Sequence, residues 1–180
     1  MKLEIDGNAR PKEDTSHDRL SVLRDAHRTL IALADGADSG WGAQTAAART
    51  VDELARCFRA GTLSEDPADW VMILEAIDHV IFSDPEAGET SALVMLVQRG
   101  VVVGASVGNS LAYIVPPTGD PRQLTGRRRV SPSIGSGLAQ PVGFGPAELD
   151  GRLITRRASR VSRIGLIPAV SSSGDRACLQ

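Results

Sequence analysis

Aromatic residues are scarce in this 180-residue chain, at 3% of positions, so a hydrophobic core must be built from Val, Ile, Leu and Ala. Cysteine is equally rare: only Cys57 and Cys178 occur, far apart and without a partner pattern. Their spacing argues against a disulfide framework and against a zinc site. No run of about 18 apolar residues is present, which argues against a transmembrane helix.

A secretory signal is also missing, because the N-terminal stretch MKLEIDGNARPKED carries several charges and no apolar core. These absences predict a cytoplasmic protein without a membrane partner. A hydrophobic fraction of 42% is ordinary for a globular protein, and the length is sufficient for one domain or for part of a larger one.

Charge is distributed unevenly behind a formal net charge of −2. Residues 1–121 contain ten basic and nineteen acidic residues, whereas residues 122–180 contain ten arginines and three acidic residues. Such a break indicates a basic tail or a change in the kind of sequence. Ten arginines would suit phosphate contacts, but the aromatics that stack on nucleic-acid bases are nearly absent. A nucleic-acid partner is therefore not favoured.

Local patterns predict an α+β fold. The apolar segment 29–34 indicates a buried strand, and apolar residues recur at helical spacing over 43–60, with Gly61 just past the end. A second helix is predicted to begin in SEDPADW, capped by Ser64. Three β-branched runs at 90–100, 101–108 and 111–117 predict antiparallel neighbouring strands with the helices packed outside.

Beyond about residue 118 the chain is rich in Gly, Pro and Ser, which predicts loop structure. The last stretch has isolated apolar residues between arginines and fits neither the helical nor the strand period. We therefore expect residues 154–180 to form an Arg-rich tail, disordered or aberrant, after a domain that covers residues 1–153.

The segment ALADGADSGWG at 32–42 ends an apolar run in an Asp-Gly pair and continues into a turn with few side chains. Taken alone, this pattern is compatible with a plain surface turn. It is equally compatible with a metal site in which the backbone approaches an ion closely. The two alternatives are separated only by the rest of the chain.

Four segments occur in the order found in a known enzyme family. They are KED at 12–14, ALADGADSGWG at 32–42, GETSALVMLVQRGVVVGASVGNSLAYIV at 88–115, and QLTG followed by IGSG at 134–137. In this order the chain resembles the metal-dependent protein serine/threonine phosphatases of type 2C. The resemblance covers residues 7 to about 153.

The resemblance implies a layered β-sandwich flanked by helices, incomplete at the C-terminus, with two Mg²⁺ or Mn²⁺ ions in a cleft at one end. The matching positions make Asp14 and Asp35 metal ligands, with the Gly36 carbonyl and Asn109 as further ligands and Arg10 as the phosphate-binding residue. Carboxylate and carbonyl oxygens are the ligands that such hard cations prefer. The implied function is hydrolysis of phosphoserine or phosphothreonine in a protein substrate, in signalling.

Several positions depart from the family pattern. Asn109 stands where the family often has aspartate, Leu111 where it has arginine, and Ala37 where it sometimes has histidine. The family also continues through a Ser-Asp-Gly motif and an Asp-Asn pair, neither of which follows ELDGRLI at 148–154. This loss of pattern suggests a truncated or frame-shifted reading frame.

Three hypotheses follow. The chain is a metal-dependent protein serine/threonine phosphatase, or a catalytically inactive phosphatase-like module that binds or regulates (or a truncated, non-functional product), or a nucleic-acid-binding protein. The loss of two expected carboxylates favours the second hypothesis biochemically, because each ion needs several oxygen ligands.

Overall fold

A computed structural model describes residues 2–8, 17–37, 40–126, 132–157 and 163–169. Two five-stranded sheets form a sandwich, and two helices lie on one of them. The strands are β1 (Lys2–Asn8), β2 (Asp18–Arg24), β3 (Arg28–Gly36), β4 (Thr90–Gln98), β5 (Val101–Val107), β6 (Ser110–Val115), β7 (Arg122–Gln123), β8 (Val142–Glu148), β9 (Arg152–Arg157) and β10 (Arg163–Ala169). The helices are α1 (Trp41–Ala60) and α2 (Pro67–Phe82). The α+β layered fold predicted from the sequence is confirmed.

The first sheet has the strand order β2-β3-β4-β5-β8, with every neighbouring pair antiparallel. Its central strand, β4, is buried from Thr90 to Val97, because helices cover one face and the second sheet covers the other. Side chains therefore alternate between two cores. In β3, Leu30 and Ala32 face the helices, whereas Ile31 faces the second sheet.

The second sheet has the order β1-β10-β9-β6-β7. The sequence predicted that β6 is a neighbour of β5 in one sheet, and this is wrong: the chain crosses from one sheet to the other in the two-residue turn between them. Strand β1 pairs with β10 over seven positions, from Lys2 opposite Ala169 to Asn8 opposite Arg163. Strands β9 and β10 occupy part of the segment 154–180, and the division of the chain at residue 153 stays a prediction.

Helix α1 packs across β2, β3 and β4. Its buried face is small near the start, with Ala43, Ala46 and Ala47, and larger towards the end, with Leu54 and Phe58. Small residues let the first turns approach the sheet closely, and burial of Leu54 contributes about 2 kcal/mol. The helix ends at the predicted position, because Gly61 adopts a left-handed φ of 73° and its amide donates to the carbonyl of Phe58.

Helix α2 packs on β5 and β8. Its N-cap is Asp66, whose side chain accepts from the Ala68 amide at 2.9 Å, and Pro67 occupies the first helical position. The predicted cap, Ser64, is therefore wrong, since its hydroxyl accepts from the Asp66 amide instead. Neither helix in the described part of the chain has the length and apolar character needed to span a membrane.

Candidate functional site

Asp35 lies one residue before the end of β3, directly opposite Asp18 on β2 and Ser91 on β4. These three positions share the parity of Ile31 in β3, so they lie on the face of the first sheet that is turned towards the second sheet. Asp35 is only 9% exposed. A carboxylate this deep is tolerated where cations or hydrogen-bond donors compensate for its lost hydration.

Gly36 has a packing reason to be glycine. A Cβ at this position would lie 2.9 Å from the Cβ of His17 and 3.0 Å from the Cβ of Ala43 in α1. The sequence allowed a close approach of the backbone to an ion at this point, but the close approach of His17 and α1 to β3 already excludes a side chain at Gly36. A ligand role for the Gly36 carbonyl stays a prediction.

Asn109 is exposed and lies in the turn that takes the chain from β5 in the first sheet to β6 in the second. Gly108 in this turn has a φ of 81°, which favours glycine. Because Val107 pairs with Ala92, the turn lies beside Ser91, the residue opposite Asp35. The structure thus brings Asp35, Gly36 and Asn109 to the same end of the sandwich.

Arg10 and Asp14 lie outside the described residues, so their predicted roles as phosphate-binding residue and metal ligand stay predictions. Among the residues that are described, no group of three or more His, Cys, Asp and Glu side chains could hold a metal ion. The described donors (the Asp35 carboxylate, the Asn109 amide oxygen and nearby backbone carbonyls) are hard oxygen atoms that suit Mg²⁺ or Mn²⁺ in kind. Asp35 is the one carboxylate among these three kinds of donor, and Asp14 stays the predicted second one.

Three glycine-containing segments that are separate in the sequence pack on one another beside this end. A Cβ at Gly42 in α1 would lie 2.9 Å from the amide nitrogen of Gly88, and a Cβ at Gly135 would overlap the Gly88 carbonyl. Thr90 and Ile134 exchange two backbone hydrogen bonds of 2.9 Å each. The GET and IGSG segments are therefore one packed unit against the start of α1.

Asp78 fastens this unit to α2, and the sequence analysis missed it. Its carboxylate is 2% exposed and accepts the backbone amides of Gly135 at 2.6 Å, Gly137 at 3.1 Å and Ala139 at 3.1 Å. The available signal was an acidic residue inside the apolar stripe of α2, between Leu74 and Ile81. Its partner is 57 residues away in sequence, however, so the pattern alone could not identify it.

Helix α1 begins after its N-cap, Gly40, and its first residue, Trp41, is 80% exposed. Just before β2, the Nδ1 atom of His17 is buried without a hydrogen-bond partner among the described residues. The sequence assigned His17 no role, and the structure places it against Gly36.

Comparison with known proteins gives matches at the level of structure only. No family model and no curated protein matches the sequence. Among solved structures, a bacterial serine phosphatase in which one arginine is replaced by glutamate has a TM-score of 0.71 and 21% identity. The alignment covers 86% of this chain and 75% of that chain. The serine/threonine phosphatase Stp1 from Staphylococcus aureus has a TM-score of 0.66 and 18% identity, with coverages of 86% and 74%.

The chain has the fold of the type 2C protein phosphatases. A third similar structure, RsbX in complex with magnesium, has a TM-score of 0.60 and 16% identity, with coverages of 85% and 70%. About 25–30% of each of these three chains is thus without a counterpart in this chain. The resemblance found in the sequence correctly predicts the fold. At these identities the comparison establishes the fold and not the activity.

Proposed function

We propose that this chain is a metal-dependent phosphatase that hydrolyses phosphoserine or phosphothreonine in a protein substrate. The observation that carries the proposal is the position of Asp35: a buried carboxylate near the end of β3, separated from the Asn109 turn by Ser91, in a type 2C phosphatase fold. Hydrolases that transfer phosphoryl groups with divalent cations need oxygen ligands for those cations.

In this proposal Asp14 and Asp35 provide the charge that holds Mg²⁺ or Mn²⁺, and the Gly36 carbonyl and Asn109 provide neutral oxygens. When bound, such ions make a water molecule more acidic and neutralise charge on the phosphoryl group. Asp35 serves as an anchored ligand, because β2 and β4 hold its strand on both sides. Arg10 binds the phosphate group, since a guanidinium offers a planar pair of donors to its oxygens.

The proposed partner is a phosphorylated protein, and the proposed location is the cytoplasm. Trp41, six positions after Asp35, is 80% exposed and gives a protein substrate an accessible surface beside the site. Such an enzyme would act in signalling, because signalling uses reversible phosphorylation of serine and threonine.

A second candidate function is a phosphatase-like module without catalytic activity. Two observations favour it: the described residues contain no group of three His, Cys, Asp or Glu side chains that could hold a metal ion, and Asn109 carries no charge. Such a module would bind phosphorylated or regulatory partners on the same fold.

Hydrolysis of p-nitrophenyl phosphate and of a phosphothreonine peptide, with and without Mn²⁺, distinguishes the two candidates. A phosphatase releases phosphate only with the metal, and Asp35→Ala abolishes the release. Asp120→Ala, in the loop before β7 and far from Asp35 in the topology, is the matched control and retains activity. Absence of hydrolysis by the folded wild-type protein would leave the binding module as the better account.

A further inference from the structure

Ser91 lies between Asp35, at the end of β3, and Asn109, in the turn between the two sheets. It is 6% exposed and directly opposite Asp35 on the neighbouring strand, on the same face of the sheet. Its other neighbour is the Gly108–Asn109 turn, since a Cβ at Gly108 would lie 2.7 Å from the Cβ of Ser91. The chain crosses between the two sheets at this point.

The hydroxyl of Ser91 also makes a contact across the sandwich. Its Oγ lies 3.3 Å from the Oγ of Ser110, the first residue of β6, and either hydroxyl can be the donor. Ser91 belongs to the first sheet and Ser110 to the second. The hydrogen bond therefore joins the sheets immediately beside the crossing turn, with Asn109 preceding Ser110.

We propose that the Ser91–Ser110 pair is a positioning device that holds the Asn109 turn at a fixed distance from the Asp35 end of β3. The proposal rests on the proposed function, because it assigns the pair to the metal site that Asp35 and Asn109 would share. Side chains that orient metal ligands without touching the ion commonly change metal affinity 10–100-fold when they are removed. The serine pair would likewise not touch the ion and would act through the backbone of the turn.

Gly108 allows a second, independent test of the proposal. It adopts a φ of 81° and packs on Ser91, whereas Gly100, in the turn at the opposite end of the same sheet, adopts a φ of 79° with nothing within 4 Å of an added Cβ. Alanine at either position carries the same left-handed strain. Only alanine at 108 also displaces Ser91 from the turn.

The first measurement is the Mn²⁺ dissociation constant of the full chain by calorimetry. We expect an increase of about tenfold for Ser91→Ala, for Ser110→Ala and for Gly108→Ala, with the two serine changes non-additive in the double variant. The matched controls are Ser106→Ala, a serine of 9% exposure on β5, and Gly100→Ala. Both controls are expected to lower thermal stability while leaving the Mn²⁺ dissociation constant unchanged, which separates positioning from a general loss of stability.

The second measurement is amide hydrogen exchange over residues 104–114 without metal. We expect faster exchange around the turn in Ser91→Ala and Gly108→Ala, and wild-type exchange there in Gly100→Ala, whose substitution lies outside the measured residues. Unchanged exchange in both variants, or an unchanged Mn²⁺ dissociation constant in Ser91→Ala, would overturn the proposal. If the wild type binds no Mn²⁺ but exchange responds as expected, the serine pair still positions the turn and the proposed metal-dependent function is the part that fails.

Discussion

Replacement of Asp78 by alanine tests the contact that fastens the segment 134–139 to α2. The buried carboxylate accepts three backbone amides, from Gly135, Gly137 and Ala139. Hydrogen bonds to a charged group contribute about 1.5–3 kcal/mol each, and burial of the carboxylate costs several kcal/mol in lost hydration. We therefore expect Asp78→Ala to lower the free energy of unfolding by about 3 kcal/mol, or the melting temperature by about 6–12 °C.

Two further variants separate the loss of these hydrogen bonds from the loss of a carboxylate on α2 in general. Asp78→Asn keeps an oxygen for the amides of Gly135 and Gly137 but can place an NH₂ donor opposite the Ala139 amide, so we expect about half of the loss. Glu75→Ala removes an exposed carboxylate from the same helix and should change the free energy by less than about 0.5 kcal/mol. Urea unfolding at neutral pH measures all three. An Asp78→Ala variant as stable as Glu75→Ala would refute the account of the contact.

Three smaller effects follow from described contacts. Arg49→Ala removes the 2.5 Å ion pair to Asp84 that joins α1 to the end of α2; because Arg49 is half exposed, urea unfolding should show a loss of about 1 kcal/mol. Gly61→Ala forces a side chain into a φ of 73° and should cost about 1 kcal/mol in the same assay, although the space around it is open. The amide of His27 donates to the Asp25 carboxylate and lowers the pKa of that carboxyl below its ordinary value. The resulting stabilisation is present above the ordinary pKa and is lost as the pH falls through the lowered pKa of the folded state. NMR chemical shifts of the Asp25 carboxyl would contradict this if they showed a titration at or above the ordinary pKa.

Helix boundaries and central strands were predictable because local signals agree with the fold there. Gly61 ends α1 as its position indicates, and the β-branched runs became β4, β5 and β6. The cap of α2 was assigned to Ser64 instead of Asp66 because both residues precede Pro67 and compete for the same role. The change of sheet after β5 has no local signal, because a two-residue turn looks the same whether it joins neighbours or crosses a sandwich.

The edge strands were the main omission. Strand β2 has a mixed pattern of exposed and half-buried residues, and β8 contains two glycines and Pro146. Both lie at the edges of the first sheet, where pairing on one side tolerates residues that a central strand excludes. The candidate site was partly predictable, since Asp35 and Asn109 lie at the same end, but Ser91, Ser110 and Asp78 act through tertiary contacts that spacing does not encode.

The most direct test of the account is calorimetric titration of the full chain with Mn²⁺, compared with Asp35→Asn. This substitution removes the buried charge while keeping the shape of the side chain at the end of β3. We predict that the wild type binds Mn²⁺ and that a chelator reverses this binding. Asp35→Asn should bind Mn²⁺ at least about tenfold more weakly. Equal binding by the two proteins, or no binding by a folded wild type, would contradict the assignment of the metal site to Asp35.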